Sequence, residues 1–134
     1  MITGLAHVCF VVADLEASVA FYRDVLGLRP AFEFINDRGE KFGQYLHAGG
    51  RTFLELFQGE QVESAGERQS YRHLCLEADD LRATAEALRR HGIEVSEVTA
   101  GSDHSLQAWL RDLDGNRIEL HEYTAQSKQG PYLT

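Results

Sequence analysis

The sequence predicts an α+β fold of two tandem β-α-β-β-β modules, eight strands in all with flanking helices. Three observations carry that prediction. The chain repeats itself, each repeat begins with an apolar strand leading into an amphipathic helix, and turn signals then punctuate three further strands. Aligning residues 7–24 over 73–90 gives six identities in 18 columns: His7/His73, Cys9/Cys75, Asp14/Asp80, Leu15/Leu81, Ala17/Ala83 and Arg23/Arg89. Self-similarity over most of a short chain marks a duplicated supersecondary unit.

The elements follow in order. Strands are expected at about 5–12 and 71–78. Asp14 reads as the N-cap of a helix over 15–26, and Asp79 or Asp80 as that of a helix over 81–91, since a short carboxylate satisfies the first free N–H groups. Leu15, Val19, Tyr22 and Leu26 fall on one helical stripe, as do Leu81, Ala85 and Leu88. Gly27 and Gly92 read as helix stops. Further strands are expected at about 30–36, 42–48 and 51–57, then at 93–98, 105–111 and 117–123. His47–Arg51 and Asp112–Asn116 hold the hairpin turns between the last two strands of each module. The chain then divides into module one (1–57), a polar linker (58–70), module two (71–123) and a polar tail (124–134) expected to wrap a surface or a partner.

Composition narrows the functional classes. A length of 134 residues suits one compact domain or two small halves. The net charge of −8 argues against a nucleic-acid backbone as partner. No apolar run reaches the roughly 20 residues of a membrane span, and the N-terminus lacks a secretory pattern, so a cytoplasmic location is expected. The two cysteines, Cys9 and Cys75, form no C-x-x-C pair and read as free thiols.

Strand alternation points to a site. Leu5, His7, Cys9 and Val11 share a face, as do Phe53, Glu55 and Phe57. In the second module Tyr71, His73, Cys75 and Glu77 share one, and Arg117, Glu119, His121 and Tyr123 another. Glu55 thus stands among aromatics, where a carboxylate is costly unless it meets a cation. A lone strand His is usually an ordinary core residue and a lone strand Glu usually faces solvent. The repeat changes that weighting: Glu55 follows His7 by 48 positions and Glu119 follows His73 by 46. Two imidazoles and two carboxylates suit one divalent ion, whether zinc, nickel, cobalt, manganese or iron, with open positions for water or substrate.

The motifs resemble a known family. Gly4–His7 with Val12–Leu15, Phe21–Leu28, Tyr71–Leu76 and Asp112–Leu120 are similar to segments of the vicinal oxygen chelate superfamily, which includes glyoxalase I, fosfomycin-resistance enzymes, methylmalonyl-CoA epimerase, extradiol dioxygenases and bleomycin-resistance proteins. The resemblance spans nearly the whole chain and implies paired βαβββ modules forming a cupped, mostly antiparallel sheet around a metal. It implies His7, Glu55, His73 and Glu119 as the four ligands of a glyoxalase I-type site. Epimerases usually carry Gln at the Glu55 position. The three-ligand relatives would use His7, His73 and Glu119. It also implies a homodimer.

Departures from the pattern matter. Glyoxalase I commonly places a basic residue and an Asn where Val11 and Gly59 stand here. Fosfomycin-resistance transferases carry a Thr at the position of Cys9 and a potassium loop that residues 101–107 do not reproduce. Neither glutathione nor fosfomycin is therefore carried over as substrate.

The expected function is that of a metal-dependent lyase or isomerase acting on a small substrate with two neighbouring oxygens. The ion acts as a Lewis acid for an enediolate. Glu119 or Glu55 is the catalytic base, with Glu119 preferred. A thiol transferase or dioxygenase on the same scaffold is the alternative. A metal-free drug-binding protein is the third reading, and the presence of all four ligands opposes it. Among other residues, His121 is weighed as an orienting neighbour of Glu119, and His104 as a solvated loop residue. Trp109 is expected in the core, Cys9 and Cys75 as small buried residues, Arg111 and Arg117 in surface pairs, and His47 and His91 at a turn and a helix end.

Overall fold

The computed structural model describes residues 1–63, 66 and 68–133. The chain divides into two compact units, Met1–Ser64 and Ala65–Thr134. The eight strands divide with it, into two four-stranded mixed sheets.

In the first unit, β1 (His7–Val12) leads into α1 (Leu15–Ala20), followed by β2 (Arg29–Ile35), β3 (Lys41–His47) and β4 (Phe53–Gln58). The spatial order is β1-β4-β3-β2, with β1 and β4 parallel and the other pairs antiparallel. The Asp14 side chain accepts from Ala17 N–H at 3.0 Å, as its N-cap role requires. The expected helix over 15–26 is α-helical only to Ala20. Phe21–Val25 widens into a π-helical turn, Leu26 N–H reaching Phe21 O at 3.1 Å, before Gly27 ends it at φ 77°. Leu15, Val19 and Tyr22 bury against Phe10, Val12, Leu46, Leu54 and Leu56. That covers one face of the sheet and leaves the His7, Cys9 and Glu55 face clear.

The second unit repeats the plan: β5 (Leu74–Glu77), α2 (Leu81–Arg90), β6 (Thr99–Ala100), β7 (Leu106–Arg111) and β8 (Arg117–Glu122), in the order β5-β8-β7-β6. β5 and β8 are parallel and the rest antiparallel. Of the two cap candidates it is Asp80 that accepts from Ala83 N–H, at 2.9 Å. Leu81, Ala85 and Leu88 pack on the face carrying Leu74, Ala108, Leu110, Ile118 and Leu120. Truncating one of these leucines to Ala is expected to cost about 2–5 kcal/mol.

One element departs from expectation. Residues 93–98 form no strand, and pairing is confined to Thr99–Ala100. Their backbone groups go elsewhere. The Arg89 guanidinium donates to the carbonyls of Val95 and Ser96, the latter at 2.7 Å, while Ser96 exchanges bonds with Trp109 through its own N–H and hydroxyl. A ladder is unnecessary where side chains satisfy the backbone.

The repeat extends to a contact the sequence does not advertise. Gln58 Oε1 accepts from Leu15 N–H at 2.9 Å, and Glu122 Oε2 accepts from Leu81 N–H at 2.7 Å. In each unit the end of the last strand thus holds the start of the helix. The linker expected at 58–70 begins after Gln58, which belongs to β4, and its residues 64, 65 and 67 lie outside the described residues. The turn at Asp112–Asn116 forms as expected, with Asp112 Oδ1 accepting from Asp114 and Asn116 N–H and Gly115 at φ 81°. The tail wraps its own unit: the Ser127 and Ser105 hydroxyls meet at 2.7 Å in a buried pair, and Gln129 donates to Asp103 at 2.6 Å. Among the described residues no helix is long and apolar enough to cross a membrane.

Candidate metal centre

Each unit brings its own His and Glu together. His7 Nε2 lies 3.8 Å from Glu55 Oε1. His73 Nε2 lies 3.1 Å from Glu119 Oε2. Metal bonds of about 2.0–2.2 Å set two ligands of one ion about 3.0–3.6 Å apart, according to geometry. The second pair already has that separation, and the first needs a small side-chain adjustment. The carboxylates are mostly buried, at 15% and 12% exposure, while the imidazoles remain open at 42% and 33%. Acceptors and nitrogens drawn together at a partly open face fit a divalent ion.

The strand register explains the match between units. Glu55 stands opposite Cys9 on one side and Tyr45 on the other. Glu119 stands opposite Cys75 and Trp109. Both modules therefore set a His, a Cys two residues on, a Glu beside that Cys, and an aromatic beside the Glu. Tyr45 and Trp109 each precede their Glu by ten positions, a signal legible in the repeat that residue-by-residue reading passes over.

Those neighbours shape each carboxylate. The Tyr45 hydroxyl lies 3.3 Å from His7 Nδ1. A hydrogen bond to Glu55 raises the phenol's pKa above its ordinary value. Trp109 meets His73 edge-on at 4.8 Å, with the Arg117 guanidinium 3.9 Å over the indole. Trp109 is thus half-buried on the site face rather than packed in the core, and Arg117 is engaged in a cation–π contact rather than a surface pair. Arg111 donates to Gly115 O.

Cys9 and Cys75 are exposed residues, which corrects the expectation of burial. They stand on the face opposite the helix, where no layer of their own unit covers them. Desolvation of the thiol and the adjoining Glu55 carboxylate push Cys9 up to about 11. Desolvation and the charge of Glu119 push Cys75 up to about 12.

His121 is the residue that distinguishes the second unit. It is 8% exposed. Its Nδ1 lies 3.4 Å from Glu119 Oε1, and its Nε2 lies 3.8 Å from Asp103 Oδ2. The two oxygens of Glu119 therefore face different imidazoles, His73 and His121. Asp103 is fixed by Gln129 and by the N–H of Ser105, contacts that hold its carboxyl below the usual range. Among the described residues, Cys75, Glu119 and His121 form the one group of three whose ligand atoms all lie within 4.8 Å of one another. His104 is exposed in its loop with φ 66°. His47 and His91 are the turn and helix-end residues expected.

Comparison with known proteins agrees with this architecture. The family model described as the Glyoxalase/Bleomycin resistance protein/Dioxygenase superfamily matches residues 4–120. The chain belongs to that superfamily. This glyoxalase-superfamily member is 30% identical to the lactoylglutathione lyase of Haemophilus influenzae, over 88% of this chain and 91% of that one. It is 25% identical to the metallothiol transferase FosB of Staphylococcus haemolyticus, over 98% and 92%. Among solved structures, the protein SMU.1112c superposes with a TM-score of 0.80 at 26% identity, covering 91% of this chain and all of that one.

Proposed function

We propose that this glyoxalase-superfamily chain is a divalent-metal-dependent lyase or isomerase, with His7, Glu55, His73 and Glu119 as the ligands of one ion. The observation that carries the reading is the pair of matched His–Glu contacts, one in each unit, with His7 opening β1 and His73 immediately preceding β5. A bound ion supplies Lewis-acid polarisation to two neighbouring oxygens of a small substrate. Glu119 takes the proton from the carbon beside the carbonyl. We prefer it to Glu55 because a second imidazole, His121, adjoins its Oε1 at 3.4 Å and can take the proton on. Beside Glu55 stand His7, the Tyr45 hydroxyl and the Cys9 thiol, with Phe57 at the position that His121 fills in the second unit. A homodimer, the usual state of the family, is part of the proposal.

A metal-dependent thiol transferase is the second reading. It is favoured by the FosB relatives, which match almost the full chain. The two separate on Glu55. Three-ligand transferases dispense with it, so Glu55→Gln should keep metal and turnover if the transferase reading holds. If the glyoxalase I-type four-ligand reading holds, Glu55→Gln should lose about tenfold or more in metal affinity. The reaction itself is tested by solvent deuterium exchange at a carbon beside a carbonyl, across a panel of 2-oxoaldehyde–thiol adducts and 2-substituted acyl thioesters. Exchange dependent on Glu119 supports the lyase or isomerase with Glu119 as base; exchange that survives Glu119→Gln removes Glu119 from that role, and absence of exchange across the panel removes the lyase or isomerase reading.

A further inference from the structure

We propose that the second unit carries an N,O,S site, made of Cys75, Glu119 and His121, that captures a thiophilic divalent ion such as cadmium or zinc without help from His7 or Glu55. The three donor atoms lie within 4.8 Å of one another. Donors around a tetrahedral ion with bonds of about 2.0–2.3 Å sit roughly 3.3–3.8 Å apart, so small side-chain rotations close the set. His121 and Glu119 already stand at 3.4 Å.

His121 supplies the second, independent observation. It is buried, and its Nε2 has no hydrogen-bond partner in the structure. A buried ring nitrogen left in that state is costly unless the ring has another use. His121 Nε2 lies 3.8 Å from Asp103 Oδ2, so a small side-chain shift would make the carboxylate–histidine pair by which proteins orient a ligating imidazole. Asp103 is itself tied down by Gln129 at 2.6 Å and Ser105 N–H at 3.1 Å, so the wrapped tail serves to brace this arm.

The surroundings favour a cation. Glu119 and Asp103 set two carboxylates on either side of the His121 ring, at 3.4 and 3.8 Å. On binding, the Cys75 S–H bond breaks, its proton passes to solvent and an S–metal bond forms, with no change of oxidation state. Thiolate donors select softer ions over manganese or magnesium. The site shares Glu119 with the His–Glu pairs, so a thiophilic ion there takes the proposed base out of service.

The test is titration of the metal-free full chain with cadmium, read by thiolate-to-metal charge-transfer absorption. The expected result is one saturating band per chain, lost in Cys75→Ser and Cys75→Ala and retained within about threefold in affinity in Cys9→Ser and His7→Ala. His121→Asn and Asp103→Asn should each weaken binding about tenfold or more. A band that survives loss of Cys75, or vanishes with Cys9 or His7, overturns the proposal. Should the Cys75 variants not fold, cadmium-113 NMR of the unaltered chain decides the matter. A one-sulfur ligand environment supports the site, and a sulfur-free one overturns it. Manganese binding is read in parallel. Loss of manganese in His7→Ala with the cadmium band intact upholds both readings; manganese binding indifferent to His7 sinks the four-ligand reading alone.

Discussion

The two units share a strand plan and differ in what surrounds their carboxylates. Around Glu55 the face is aromatic. Phe32 stacks on Tyr45 at 4.6 Å, Phe34 meets both rings edge-on, and Phe42 stacks on Phe57 at 5.9 Å. Around Glu119 the face is polar, with His121, Asp103, Gln129 and the buried Ser105–Ser127 pair. The divergence turns on single positions. Two residues after Glu55 comes Phe57, while two residues after Glu119 comes His121. The repeat sets where each His and Glu stands, and the neighbours differ. The first unit sets an apolar wall beside its His–Glu pair; the second sets a further imidazole and carboxylate beside its own.

Breaking each side in turn tests that difference. The largest effect is expected from Glu119→Gln, which removes a ligand and the proposed base together. It should lower metal affinity by more than about 100-fold, against about tenfold for Glu55→Gln, as read by calorimetry with manganese. Equal losses would mean that the units share the ion evenly.

Next comes the aromatic wall. A Cβ at Gly43 would stand 2.6 Å from Phe57 Cδ1 and 2.9 Å from Phe34 Cδ2. Gly43→Ala should therefore lower stability by about 1–3 kcal/mol in urea denaturation, through overpacking rather than backbone strain. Its polar counterpart is Ser127→Ala, which strips the buried Ser105 hydroxyl of a 2.7 Å partner and should cost about 1 kcal/mol.

The most easily read difference lies in the thiols. Both are raised, so the reactive thiolate is disfavoured at neutral pH and recovers only as the pH climbs toward each value. With ordinary thiols at 9.0 and these at about 11 and 12, alkylation at pH 8 should be about 100-fold slow at Cys9 and about 1000-fold slow at Cys75. Mass spectrometry of iodoacetamide-treated protein measures both. Equal and rapid labelling would show that neither desolvation nor the carboxylates hold the thiols up.

Much of this could be read before any coordinates. Period-two alternation put His7, Glu55, His73 and Glu119 on their faces, and the repeat joined them into pairs. Asp14, Asp80, Gly27 and Gly92 bounded the helices by local chemistry alone. What escaped depends on groups distant in sequence. Residues 93–98 have strand-like composition, yet Arg89 claims their carbonyls. The Asp103–His121 contact joins a loop to a strand 18 positions away. Exposure of Cys9 and Cys75 follows from which sheet face the helix covers, and alternation cannot say which of two faces that is.

Metal stoichiometry tests the central claim most directly. Metal-free protein loaded with manganese and freed of excess should hold one ion per chain by elemental analysis, and both His7→Ala and His73→Ala should abolish that binding. Two ions per chain, or one ion retained after either substitution, would contradict a single centre built from both His–Glu pairs.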